Sequence, residues 1–181
     1  TAEQTGNPLD VAIEGDGFFP VQVTNGETRY TRAGSFKLDS QGRLTTPDGF
    51  LVLPPITVSN GSDNMSITVG KDGTVQIGTT GSDQTRQTIG NMQIATFLNP
   101  AGLSSEGNNL YAATVASGTA QLGTPGQTGY GQLNQGFLEG SNVEVVTELI
   151  SLIAAQRAYE INSRAIRAGD EMLSTSIDIV R

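Results

Sequence analysis

The sequence predicts a mainly β fold, a β-sandwich or open-barrel-like outer domain, followed by a long carboxy-terminal α-helix of coiled-coil type. Three observations carry this. Glycine is abundant, 23 of 181 residues, and with frequent Asn, Ser and Thr it supplies turns rather than helices. Short β-prone runs alternate with turn signals from Leu9 to Leu138. From Val143 onward there is no proline and only Gly169 as an interior breaker, as an uninterrupted helix requires.

The first strands are read at Asp10-Val11-Ala12-Ile13 and Phe18-Phe19-Pro20-Val21-Gln22-Val23. Asn25-Gly26 then predicts a hairpin into Thr28-Arg29-Tyr30-Thr31, since both residues tolerate positive φ. Ser35 to Leu38 and Arg43 to Thr46 flank a turn at Asp39-Ser40-Gln41-Gly42, and Pro47-Asp48-Gly49 leads into Phe50 to Leu53. Pro54-Pro55 ends that strand because proline cannot donate to a ladder. Met65 to Val69 and Thr74 to Ile77 flank Gly70-Lys71-Asp72-Gly73. Gln87 to Leu98 reads as one long strand, and Asn109 to Thr114 as another. Ser117 to Gly131, rich in Gly, Ser and Thr, is expected to be a mobile loop. Gln132 to Leu138 is a last extended piece.

Ser141 with Glu144 three residues on forms a capping box, in which two orphan backbone donors are satisfied reciprocally. A helix from Val143 to about Ile179 would be on the order of 55 Å long. Leu152, Tyr159, Ile166 and Leu173 recur at intervals of seven, the spacing of a coiled-coil seam. Val145, Leu149 and Ile153 widen it. Gln156 and Ser163, also seven apart, with Arg157 and Asn162, are candidates to set register against a partner. Packing on the chain's own β domain needs only a helix of ordinary length, roughly 10 to 14 residues. The expected partner is therefore another helix, in a segment missing from this chain or on a second subunit.

Composition narrows the function classes. The chain has no Cys and no His, so it holds no thiol nucleophile, disulfide, imidazole acid–base group or Cys/His zinc site. A net charge of −8 with two lysines speaks against nucleic acid as a partner, because phosphate backbones need basic patches. No apolar run approaches the roughly 20 residues of a membrane span, so direct membrane insertion by a helix is not expected. Glu14-Gly15-Asp16-Gly17 lacks the alternating acidic ligands of a calcium loop and reads as a turn. No cofactor or metal is called for, and the chain is not expected to be an enzyme. A carboxylate-dependent glycosidase would need two carboxylates across a cleft, whereas Asp16, Asp39, Asp48, Asp63 and Asp72 sit in turn signals. A carbohydrate-binding module is the other alternative, but it has no use for a seven-residue seam.

Three blocks, "LDVAIEGDGFFPV" (9–21), "YTRAGSFKLDSQGRLTTPDGFLVL" (30–53) and "GFLEGSNVEVVTELISLIAAQRAYEINSRAIRAGDEML" (136–173), resemble the bacterial flagellar basal-body rod and hook family. The resemblance implies a subunit that stacks helically into a tubular drive shaft and transmits torque. It implies an inner layer in which an amino-terminal helix pairs with the carboxy-terminal one, a β-rich outer domain, and delivery by type III export without a cleaved leader. The implied partners are further copies of the chain, the proximal rod, the hook and the surrounding ring proteins, in a rod that crosses the periplasm. On this reading residues 1–8 are a linker from a missing amino-terminal segment, 9–138 the outer domain with its loop at 117–131, and 139–181 the axial helix. The blocks fit rod members better than hook protein, which usually carries a larger outer insertion; a proximal rod paralogue is the runner-up within the family.

Overall fold

The structure is a computed structural model that describes residues 2–58, 65–79, 86–140 and 145–179; within the helix it describes side chains at 150, 152–167 and 169. Asp63, Ser141 and Glu144 lie outside the described residues. The chain divides into two compact units, Thr1–Gly140 and Ser141–Arg181.

The first unit is built from short strands: β1 (Ala2–Gln4), β2 (Val11–Glu14), β3 (Phe19–Gln22), β4 (Thr28–Thr31), β5 (Lys37–Leu38), β6 (Leu44–Thr45) and β7 (Leu51–Val52). There follow β8 (Met65–Val69), β9 (Thr74–Thr79), β10 (Gln87–Asn91), β11 (Ile94–Thr96), β12 (Ser104–Gly107) and β13 (Leu110–Ala112). The last are β14 (Gln121–Gly123), β15 (Gln132–Gln135) and β16 (Phe137–Glu139). A seven-stranded sheet runs β12-β13-β4-β3-β7-β6-β5, a three-stranded sheet β10-β9-β8, and three antiparallel pairs complete the unit, β11-β14, β2-β15 and β1-β16. Among the described residues no sheet closes into a barrel.

Alternation explains how one chain fills two clusters. Successive strand residues face opposite ways, so Phe19 enters the main core with Val21, Val52, Met92 and Ile94, while Phe18 joins Tyr30, Phe97 and Tyr111 in a second cluster. Phe19 meets Phe36 edge-to-face at 5.0 Å, and Tyr30 meets Phe97 likewise at 4.8 Å, the geometry that ring quadrupoles favour. Gly34 is required where β2 crosses: a Cβ there would lie 1.7 Å from the Val11 carbonyl oxygen.

The structure departs from the sequence expectations in several places. At Asn25-Gly26 only Gly26 has positive φ (84°), and Asn25 instead accepts from the Glu27 N–H at 3.0 Å. The turn with successive positive φ lies between β12 and β13, at Asn108 and Asn109 (50° and 58°). The long strand read over 87–98 is broken into β10 and β11, because the Met92 N–H turns away to the Gly73 carbonyl at 2.7 Å. Segment 117–131 is no featureless loop: it contains β14 and buries Ser117 and Pro125. Residues 1–8, read as a linker, include β1. The second unit is a single helix, α1 (Val145–Ile179).

Candidate assembly surface

The seam residues of α1 whose side chains are described all face solvent. Leu152 is 63% exposed, Tyr159 77% and Ile166 66%, with Ile153 close to half exposed. Ile150 and Ile161 are exposed as well, Ile161 on the face opposite Leu152. Residues seven apart fall about 20° short of two full turns, so Leu152, Tyr159 and Ile166 form a slowly winding strip about 21 Å long. Covering such side chains would contribute about 1.5–3 kcal/mol each. Gln156, Arg157 and Asn162 are exposed, and Ser163 is half-buried. The side chains of Val145, Leu149 and Leu173 lie outside the described set, as does the cap of Ser141 and Glu144.

At the end of the β-rich unit, β16 is held by a set of contacts from distant parts of the chain. It pairs with β1 in the register Ala2 to Glu139, Glu3 to Leu138 and Gln4 to Phe137. Gly136, at φ 77°, redirects the chain between β15 and β16. Its N–H donates to the Asp10 carbonyl at 2.7 Å and its carbonyl accepts from Thr5 at 2.9 Å. The Arg32 guanidinium binds the Glu139 carboxylate at 2.6 Å and donates to the carbonyls of Gly15 and Gly17 at 2.7 Å. It also lies over the Phe18 ring at 5.9 Å, a use of the planar fork that lysine could not reproduce. The turn at 14–17, which the sequence offers as a turn rather than an ion site, thus presents its carbonyls to an arginine.

Gln135 performs a second linkage. Its amide accepts from the Val69 N–H at 3.1 Å and donates to the carbonyls of Ile67 at 2.8 Å and Pro8 at 2.7 Å. A side-chain amide here takes the place of a neighbouring strand along the edge of β8. Sequence reasoning missed Arg32, Gln135 and Gly136. The one available signal was that Arg32 is the only basic residue between two β-prone runs in 30–36.

The lowered carboxylates belong to turns. Hydrogen bonding from Arg29 holds the Glu27 carboxyl below its ordinary value, and Glu106 with Glu27 raises Arg29. Asp39 is lowered mainly by the Arg43 backbone N–H, and Asp72 by the Thr74 hydroxyl. Burial raises Tyr30. Each carboxylate satisfies its own hairpin, as Asp does in turns. Among the described residues no group of three or more acidic side chains could hold a metal ion, and no described helix is long and apolar enough to cross a membrane.

Two family models match the chain: the flagellar hook protein FlgE/F/G D1 domain over residues 12–77, and the flagellar basal body rod FlgEFG protein C-terminal region over residues 134–179. The flagellar basal-body rod protein FlgG of Bacillus subtilis is 41% identical over 182 residues, covering 99% of this chain and 68% of that protein. The chain belongs to the bacterial flagellar basal-body rod and hook family. Its place is therefore the basal body of the flagellum. Rod proteins FlgG of Caulobacter vibrioides and Borreliella burgdorferi are 47% and 45% identical, covering 97% and 95% of the chain and 66% and 64% of their own lengths. The chain thus spans about two thirds of the length of the curated relatives it matches. The two matched regions coincide with β2 to β9 and with β15 through α1.

Proposed function

We propose that this chain is a non-catalytic structural subunit of the distal rod, the drive shaft that crosses the periplasm. Residues 9–138 form its outer domain and 139–181 its axial segment, with 1–8 leading to a helix that lies beside α1 in the assembled rod. Subunits polymerise helically through helix-on-helix seams and β-domain contacts, and so transmit torque. The partners are further copies of the chain, with proximal rod, hook and ring proteins at its ends and around it.

The observation that carries this reading is the exposed strip of Leu152, Tyr159 and Ile166, seven residues apart on one helix. A continuous apolar strip of this kind is usually an interface, and its heptad spacing suits a helix as the partner. Rod assembly in a bacterium lacking its own rod protein tests it. The full-length protein carrying Leu152→Asp should be exported and folded yet give no rods by electron microscopy and no swimming. Normal rods from that variant would overturn the reading.

A further inference from the structure

The β-rich unit has a second exposed apolar feature, unrelated to the helix. Leu98 is 91% exposed and Val115 fully so, and the two belong to neighbouring segments. Asn99 donates to the carbonyls of Ser117 at 3.3 Å and Ala116 at 3.1 Å, and a Cβ on Gly118 would touch the Leu98 Cβ at 3.8 Å. The turn bearing Val115 is stiff. Thr114 Oγ1 donates to the Gly102 carbonyl at 2.6 Å, and the Ser117 hydroxyl, wholly buried, both accepts from the Thr114 N–H and donates to its carbonyl. The backbone that carries these two exposed side chains is thus fixed in advance, so little backbone ordering entropy remains to be lost when this knob binds.

The same unit offers a hollow of about 330 Å³ lined by Pro20, Tyr30, Leu53, Pro54, Ala120 and Leu122. Tyr30 stacks edge-on to Phe97, the residue before Leu98, so knob and hollow are fixed to one core. Charge decides what could join them. Residues 107–138 contain no Asp, Glu, Lys or Arg, and 87–138 contain only Glu106, in a chain of net charge −8. A partner of opposite charge would be drawn to the acidic remainder. The knob lies in that tract and the residues lining the hollow are uncharged, so this is where two equally acidic molecules meet with the least repulsion.

We propose that the Leu98–Val115 knob of one copy seats in the Pro20–Tyr30–Leu122 hollow of a second copy of this chain. Knob and hollow are different patches, so the contact repeats head-to-tail into an open filament unless its rotation closes a ring or a two-fold axis makes it reciprocal. It rests on the reading of the chain as a polymer subunit.

The absence of cysteine gives a clean test. Single-cysteine chains Val115→Cys and Leu122→Cys, mixed and oxidised, should give the mixed disulfide in preference to either homodisulfide. The yield should be about tenfold above a Gln41→Cys and Leu122→Cys mixture, the factor that roughly 1.4 kcal/mol of contact supplies. Raising salt should increase the yield by screening the shared negative charge. Equal yields in all mixtures, or a yield that falls with salt, would overturn the contact. Leu98→Glu with Val115→Glu should then weaken rod assembly in cells with an unchanged melting temperature. Normal rods from this double variant would count against the contact alone, whereas specific cross-linking by chains that never form rods would count against the polymer reading alone.

Discussion

The β-rich unit and the helix treat their apolar side chains in opposite ways. Phe19, Val21, Val52 and Ile94 are completely enclosed by strands of their own unit, whereas Leu152, Tyr159 and Ile166 on α1 stay in water. The helical segment is the more apolar of the two in sequence, with 20 of residues 141–181 apolar against 45 of residues 1–140. The difference lies in geometry: a pleated sheet can fold its residues over one another, while one straight helix has no second layer to offer them. Hydrophobicity alone therefore does not separate a core from a contact surface, and it is the seven-residue period in α1 that motivates the proposed seam.

The sharpest break in this contrast is expected from the enclosed side. Phe19→Ala removes a ring packed on Phe36 and should cost about 3–5 kcal/mol, read as a fall in the urea midpoint of the whole chain. Gly34→Ala should follow at about 2–3 kcal/mol, since the new methyl meets the Val11 carbonyl. Arg32→Ala should cost about 1–3 kcal/mol by leaving the Gly15 and Gly17 carbonyls without their donor. Arg32→Lys should recover little of it; full recovery would show that charge, not the fork, holds β16. On the exposed side, Leu152→Asp should change the stability of the isolated chain by no more than about 0.5 kcal/mol while removing assembly. A large loss in the isolated chain would erase the distinction between the two regions.

The smallest effect concerns acid. Asp39 and Asp72 are held below their ordinary 3.8 by hydrogen bonds in the folded state. Their stabilisation is therefore complete above that value and is lost as pH falls through the lower folded-state value. Asp72 is exposed and Asp39 half-buried at the surface, so the change is slight. Asp39→Asn with Asp72→Asn should flatten the decline in melting temperature below pH 3.8, and an unaltered slope would place the acid sensitivity elsewhere.

Legibility in the sequence followed distance along the chain. The strands from 11 to 52 were readable because alternation and turn residues act over a few positions, as Thr28 to Thr31 illustrates. The break at Met92 was not, because its cause is the Gly73 carbonyl on another hairpin. β1 was hidden for the same reason, its partner lying more than a hundred positions away at Phe137–Glu139. Gln135 and Arg32 look like ordinary polar residues until the carbonyls they serve are brought beside them. In α1 the seven-residue period was legible because a helix presents its period directly. Which of its residues meets which partner depends on another surface, and no period within one chain encodes that.

The pairing of β1 with β16 also has a mechanical side. Ala2 stands opposite Glu139, so the segment before the first and the segment after the second leave from the same end of a short antiparallel ladder. Its hydrogen bonds lie across the strands. A pull along the strands on the segment beyond Glu139 loads all of them together in shear, while a sideways pull peels them one at a time from that end. The attachment is stiff along one axis and compliant across it, and Arg32 guards the end where peeling would begin.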